Sequence, residues 1–423
     1  MVQLIMMLIE RDHHKRPSAV GVLESQLLPD TLEDSKIKWV VRNLRENDYF
    51  HAKLLDVIFS RDDGRASMLY DPDKTIPRAD TISLSLVQDS CSRVFRRHAA
   101  HLLRVPLLTP AAQTRSKDSV LLMDKHGCQY ELPSDLTQPF AHFLARGSRQ
   151  RPIRRFAFGN VYRARPFAAC KESNEAAFDI VCAGASSEEQ RRMEEAETIS
   201  VLMELLSEVP LEKEMLLRVG HAGLMEGIMD LAGVPDSHRA TVRDVLSQAQ
   251  KKGTATAKRL LRNACLGLDC EGAIVESFQR VYDEVVGKTA AMDQATALKG
   301  LFSGSQSGSH AATQLIDTIR FLNAMSPEVR QVSGRFGPAS LHVDPLLSHA
   351  NFDGGLVFQA ALLSKDKRVE AVAFGGRYDS LVRNLRDTAR ERHVECAGEL
   401  RAVGLSVSVE RVVAACRYLN PKP

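Results

Sequence analysis

The spacing of apolar positions divides this chain into helical and extended stretches. In "MMLIERDHHKRPSAVGVLESQLLP", Val20, Leu23 and Leu27 recur at helical spacing behind a basic turn and a proline, which predicts two short helices within residues 1–29. A linker helix is expected over Lys36–Phe59, followed by the polar loop "SRDDGRAS", then a long helix from Ser83 to Leu103 that stops near Pro106. Alternation in "SVLLMDKHGCQYELP" predicts a hairpin turning at "KHG". "RRFAFGNVYR" and "AAFDIVCAG" read as two further strands. Ser186 followed by Glu189 has the form of a capping box and opens a mostly helical stretch, interrupted by a strand at "MLLRVGHA". "FSGSQSGS", from Phe302 to Ser309, has the composition of a flexible linker. Strands return in "LVFQAALL", "VEAVAFGG" and "LRAVGLSVSV". The pattern is a strand-rich core split by a helical insertion.

Composition narrows the class. The chain has 423 residues, 44% of them hydrophobic and 26% charged, which suits an ordinary globular protein of two or three domains. Its longest apolar runs fall short of the roughly 18 residues that span a bilayer, so no membrane partner is expected. The start, "MVQLIMMLIERDHHKRP", has no basic region ahead of its apolar run and so does not read as a secretory leader. The eight cysteines are scattered without a CxxC, and "CLGLDC" (Cys265, Cys270) stands without a second pair. Reduced thiols, a cytoplasmic location and no metal site are the expectation. "GTATAK" (Gly253 to Lys258) lacks the glycine that a phosphate loop places before its lysine.

Charge changes the picture. Net charge is +3, yet Leu136 to Lys171 holds eight basic residues and no Asp or Glu: Arg146, Arg149, Arg151, Arg154, Arg155, Arg163, Arg165 and Lys171. Phe156, Phe158 and Tyr162 are interleaved with them. A local excess larger than the charge of the whole chain, with aromatics among the cations, favours a nucleic-acid partner over a solvated basic face.

The motifs carry a family resemblance. "IRRFAFGNVYRARPF…AAFDIV" resembles motif 2 of a class II aminoacyl-tRNA synthetase, and "AVGLSVSVERVV" (Ala402 to Val413) resembles motif 3, with Arg411 at the motif arginine. "FGGRYDSLV" (Phe374 to Val382), containing Arg377 and Tyr378, is similar to a segment of the histidyl enzyme in that class. The long helix ending near Pro106 corresponds to motif 1. The resemblance implies an α+β fold, an antiparallel sheet flanked by helices, with a dimer interface on motif 1 and motif arginines that grip ATP. Asp135 and Thr137 in "LPSDLT" match the acid and threonine of the amino-acid site. Other positions depart from the pattern. Ser348 or His349 stands where the histidyl enzyme has the arginine that supports the reacting carboxylate, and Phe352 and Asp353 replace its tyrosine pair. Arg165 replaces a motif 2 acid, and Glu175 stands where that family uses a glutamine. The resemblance therefore implies no catalytic residue for adenylate synthesis, while a phosphate-binding shell can persist, because it needs charge and shape rather than catalytic alignment.

"MLIERDHHKRPSAVGVLESQLLP" resembles the last helices of a protein-kinase C-lobe, with Arg16 at that lobe's arginine. Kinase end followed by a histidyl-synthetase-like domain is similar to the general amino-acid control kinase family, whose members phosphorylate the alpha subunit of translation initiation factor two. The implied organisation is a kinase fragment over 1–29, a linker helix over 30–64 and a synthetase-like domain over 65–420, with a helical insertion at about 186–334. The implied partners are uncharged tRNA, contacted by Tyr162, Arg163, Arg165, Lys171 and the arginines at 146, 149, 151, 154 and 155; a kinase domain in cis; and a second copy in a homodimer. The ribosome is a further candidate. ATP and Mg would belong to the missing kinase core, and no cofactor is expected here. Asp135, Thr137, Arg377, Tyr378 and Arg411 would outline a residual synthetase pocket. Two other readings stay open: an active histidyl-tRNA synthetase, and the synthetase-like regulatory subunit of ATP phosphoribosyltransferase. Arg163 can equally be a structural ion pair, Arg411 reads as structural once ATP binding is lost, and Arg377 and Tyr378 can be packing residues in a turn.

Overall fold

The computed structural model describes residues 78–111, 119–147, 152–165, 168–184, 187–211, 215–252, 271–286, 288, 290–325, 341–352, 354–363, 369–391 and 400–416. The expected kinase fragment and linker helix, Arg149, Arg151, Asp353, "GTATAK" and Cys265 lie outside them, as does Cys270. The chain divides into two compact units, residues 1–68 with 123–129, and residues 69–122 with 130–423. The described part of the first is residues 123–129, a tight turn in which Asp124 accepts from the backbone N–H of His126 and Cys128 at 2.8 and 2.9 Å. Gly127 supplies its positive φ of 82°.

In the second unit, α1 (Arg78–Arg97) leads to the short strands β1 (His101–Leu102) and β2 (Thr109–Pro110). The expected helix to Leu103 therefore ends earlier, at Ala99 with φ 57°, and the chain enters the sheet instead. β3 (Val120–Met123) and β4 (Gln129–Leu132) are the hairpin strands, and α2 (Thr137–Arg146) follows. β5 (Ile153–Arg165) and β6 (Ala168–Ala183) form a long antiparallel pair. Next come α3 (Glu188–Glu208), β7 (Met215–His221), α4 (Ala222–Leu231), α5 (Asp236–Lys252), α6 (Glu271–Val286), α7 (Ala291–Leu301) and α8 (Gln306–Met325). The chain closes with β8 (Leu341–Val343), β9 (Leu356–Leu363), β10 (Val369–Arg377), α9 (Asp379–Glu391), β11 (Leu400–Ser408) and α10 (Val409–Ala414).

Eight strands make one sheet in the order β1-β5-β6-β11-β10-β9-β7-β8, an α+β architecture. Six central strands are antiparallel, but β1 joins β5 and β8 joins β7 in parallel, so the sheet is mixed rather than wholly antiparallel. The helical stretch between β6 and β8 contributes β7 to this sheet, and its helices share the main core: Leu202 of α3, Ile228 of α4 and Leu315 of α8 are buried with Phe178 and Phe358 of the strands. Ser187, one residue past the expected cap, accepts from Gln190 N–H at 3.1 Å and starts α3. "FSGSQSGS" is not a loose linker. Phe302 is fully buried, Ser305 Oγ accepts from Gly308 N–H at 3.0 Å as an N-cap, and α8 begins at Gln306. Gly308 is needed because a Cβ there would fall 2.8 Å from Phe302 Cγ.

Alternate residues along a strand, and residues paired across two strands, share a face. One face carries Phe156 and Phe178, packed beneath α1 through Phe95 at ring distances of 5.7 and 5.4 Å. The opposite face carries Arg155, Arg163, Glu175, Asp179 and Ser406, as the register Arg155↔Asp179, Gly159↔Glu175 and Gly404↔Asp179 requires. Its inner end is closed by a second apolar cluster in which Phe140 and Leu144 of α2 meet Val382 of α9 and Ala402 of β11.

Candidate functional site

The acid-free run of the sequence is not acid-free in space. Arg155 is 1% exposed, donates from Nε to Asp179 Oδ2 at 2.8 Å and from Nη2 to Leu136 O at 3.1 Å, and lies 3.4 Å from the centroid of Phe140. It is a buried strut and cannot line an RNA surface, which corrects the expectation for this residue. Arg154, on the other face, grips Glu197 of α3 with both terminal nitrogens and donates to His98 O at 3.3 Å. Its charge is committed to holding β5 against α3. Arg146 is exposed in the last turn of α2. The arginines of this run therefore do not form one surface.

Arg163 is different. Its side chain is 41% exposed, while its ion-pair partner Glu175, at 3.3 Å, is 7% exposed. Arg163 Nη2 also donates to Ser134 O at 3.3 Å. Lys171 is its cross-strand neighbour and shares its face. Arg165 follows on β5, after a register irregularity. Tyr162 points to the opposite face, where its hydroxyl donates to Glu172 at 3.2 Å. Asn160 and Asn174 extend that contact to Gln88 of α1, which donates to Asn174 at 2.7 Å. Tyr162 and Arg163 thus occupy the two faces at the outer part of one hairpin, where a single ligand can reach both only by wrapping its edge.

Close to Arg163 lie Glu175 and the segment leading into α2. Asp135 caps α2, accepting from Thr137 and Gln138 N–H at 2.8 and 3.0 Å, and its second oxygen accepts from Asn351. Thr137 is buried. Ser406 donates to Glu175 at 2.7 Å. Burial, with the nearby charge of Asp135, pushes the Glu175 carboxyl up to about 7. His349, which with Ser348 is one of the two places the resemblance gives for the family's arginine, packs its ring against Phe352 and Phe374 at 5.0 and 5.1 Å.

The other three pocket candidates have partners of their own. Arg377 is buried against Glu195 at 2.7 Å, with Asp379 and Arg191 O also in reach. Tyr378 is fully buried and donates to Asp179 at 2.7 Å. Arg411 donates to Ala371 O and ties α10 to β10. Each of the three is engaged by partners other than Asp135 and Thr137. Sequence reasoning missed Asn351 and Ser406. Period-two alternation in "LSVS" could have placed Ser406 beside Glu175; Asn351 sits in an irregular loop that offers no such signal. Among the described residues no three His, Cys, Asp or Glu form a metal cluster, and no helix is long and apolar enough to cross a membrane.

Comparison with known proteins fits this geometry. The family model "Histidyl-tRNA synthetase" matches residues 101–412. The chain is 28% identical over 444 aligned residues to eIF-2-alpha kinase GCN2 of Schizosaccharomyces pombe, covering 99% of this chain and 26% of that kinase. It therefore spans about a quarter of that relative's length. Cytoplasmic histidine--tRNA ligase of Dictyostelium discoideum is 26% identical over 79% of this chain and 65% of the ligase. Among solved structures, an ATP phosphoribosyltransferase regulatory subunit/histidyl-tRNA synthetase from Bacillus halodurans shares the fold, with a TM-score of 0.61 and 17% identity over 83% of this chain and 84% of that one. With a family match over residues 101–412, on a mixed sheet that carries the motif residues in register, the chain belongs to the histidyl-tRNA synthetase family.

Proposed function

We propose that this chain is the tRNA-sensing regulatory part of a Ser/Thr kinase that phosphorylates the alpha subunit of translation initiation factor two under amino-acid starvation. It binds uncharged tRNA and does not itself make an aminoacyl adenylate. The observation that supports the second statement is the remodelled pocket: Ser348 or His349, the latter packed on Phe352 and Phe374, where the family resemblance places an arginine, and Glu175 paired with Arg163 where it places a glutamine. A carboxylate-supporting guanidinium of that kind contributes several kcal/mol to a barrier when it is aimed at developing charge. The reach of the kinase similarity supports the first statement, since it covers 99% of the chain against 79% for the ligase.

The mechanism is charge neutralisation along a phosphate backbone by Arg163 and Lys171, with the Tyr162 ring available to stack on an exposed base at the acceptor end. The kinase domain in cis, a homodimer built on α1, a cytoplasmic setting and contact with the ribosome belong to this reading. So do a kinase fragment at 1–29, a linker at 30–64 and a synthetase-like domain at 65–420. A direct test compares uncharged with aminoacylated tRNA in equilibrium binding to the purified chain. Tighter binding of the uncharged form is expected; equal binding contradicts the sensing role.

A further inference from the structure

Glu175 and Arg163 form an ion pair with one dry end and one wet end. Glu175, from β6, is almost wholly enclosed, while the guanidinium of Arg163, from β5, is 41% exposed. The groups facing Glu175 come from each neighbouring element: Arg163 from β5, Ser406 from β11, and Asp135 with the Leu136 N–H from the segment leading into α2. Ser406 and Arg163 satisfy separate oxygens. Asp135 is held in place by its own cap and by Asn351, and its proximity raises the Glu175 value.

A phosphate that arrives at Arg163 from solvent meets a cation already shared with a buried anion. If Glu175 stays ionised, two anions compete for one guanidinium, with Asp135 a third negative charge nearby, where the surroundings screen poorly. A proton on Glu175 removes that conflict. The neutral carboxyl can donate to Ser406, whose hydroxyl rotates to accept. We propose that capture of a phosphate by Arg163 is coupled to uptake of one proton from solvent by Glu175, so that RNA binding at this hairpin tightens as pH falls through the neutral range. The coupling rests on the reading of Arg163 as an RNA contact.

The sign follows from linkage. Burial first, and then Asp135, place the free Glu175 carboxyl at about 7, and the Arg163 charge lowers it from where it would otherwise lie. Drawing that charge toward phosphate raises the value further in the complex. Below about 7 the proton is already bound in the free protein and the coupling vanishes. Above it, affinity falls with rising pH by up to about tenfold per unit until the value of the complex is passed. The sequence carries a natural control, because glutamine is the residue that the synthetase resemblance places here, and Glu175→Gln mimics the protonated state without changing shape.

The experiment titrates deacylated tRNA against the full chain, wild type and Glu175→Gln, at fixed salt from about pH 6 to about pH 8.5. Wild type is expected to lose affinity above about pH 7, whereas Glu175→Gln loses less by up to about one log unit per pH unit and binds more tightly than wild type at the alkaline end. Calorimetry of wild type in two buffers of different ionisation enthalpy reads the same event without a variant, with net uptake approaching about one proton near pH 8. Parallel pH slopes, or no uptake, overturn the coupling while leaving RNA binding intact. Absence of tRNA binding by both proteins across the range overturns the RNA-binding reading and the coupling with it.

Discussion

Tyr378 donates its hydroxyl to Asp179 Oδ1 at 2.7 Å, joining the turn after β10 to the middle of β6. Arg155 takes the other oxygen at 2.8 Å, and all three side chains are shut off from water. Gly404 sits beneath, where a Cβ would fall 2.2 Å from Asp179 Oδ1. Removing one member strands the rest. Arginine keeps its charge at any working pH, so Asp179→Ala leaves a buried cation and should cost about 3–5 kcal/mol. Tyr378→Phe removes one hydrogen bond to a charged group and should cost about 1.5–3 kcal/mol. Urea unfolding of both variants checks the order; a larger loss for Tyr378→Phe contradicts it.

His98 gives stability a pH dependence. Its ring lies between Glu204 at 2.7 Å and Glu197 at 3.4 Å. The hydrogen bond to Glu197 is the largest influence raising its pKa above the ordinary value. The stabilisation is therefore complete below about 6.5 and is lost as pH rises through the higher folded value. The stability gap between wild type and His98→Gln should shrink from about pH 6 to about pH 9 in urea titrations. Burial pushes Glu197 up, but His98 and Arg154 outweigh it and hold the carboxyl down at about 2. Its contribution is present above the usual carboxylate range and disappears as pH falls toward that value.

These contacts show where sequence reading succeeds and stops. The hairpin at Asp124 is legible because a short acid, a glycine and alternating flanks act locally. Strands β5, β6, β9, β10 and β11 are legible as short apolar-rich stretches between turn residues and helical segments. The arginine roles are not, because the partners of Arg155 and Arg154 lie 24 and 43 residues away. A run without acids looks like a basic patch until the sheet register brings Asp179 and Glu175, and the packing of α3 brings Glu197, against it. The parallel edge strands are equally hidden, since β1 and β8 are only 2 and 3 residues long.

Catalysis should be absent. Histidine-dependent exchange of pyrophosphate with ATP is expected to stay at background, since neither Ser348 nor His349 can reproduce a bidentate arginine. Detectable exchange would contradict the remodelled-pocket account. His349→Arg alone should not restore exchange, because Glu175 would remain beside Asp135.

The α1 face presents Ile82 and Leu86, four residues apart and both exposed. A two-fold interface on this helix would cover them. Light scattering should find a dimer for wild type and a monomer for the double variant Ile82→Asp, Leu86→Asp, with unchanged helical circular dichroism. A wild-type monomer at micromolar concentration contradicts the dimer.

The central claim is that Arg163, and not its buried or paired neighbours, meets the RNA backbone. Filter-binding titrations of uncharged tRNA at several salt concentrations test it most directly, with wild type, Arg163→Ala and Arg154→Ala compared. Arg163→Ala should weaken binding whatever the tRNA sequence and lower the salt slope by about one, while Arg154→Ala leaves the slope unchanged. Equal slopes for wild type and Arg163→Ala, or a reduced slope only for Arg154→Ala, would contradict the account.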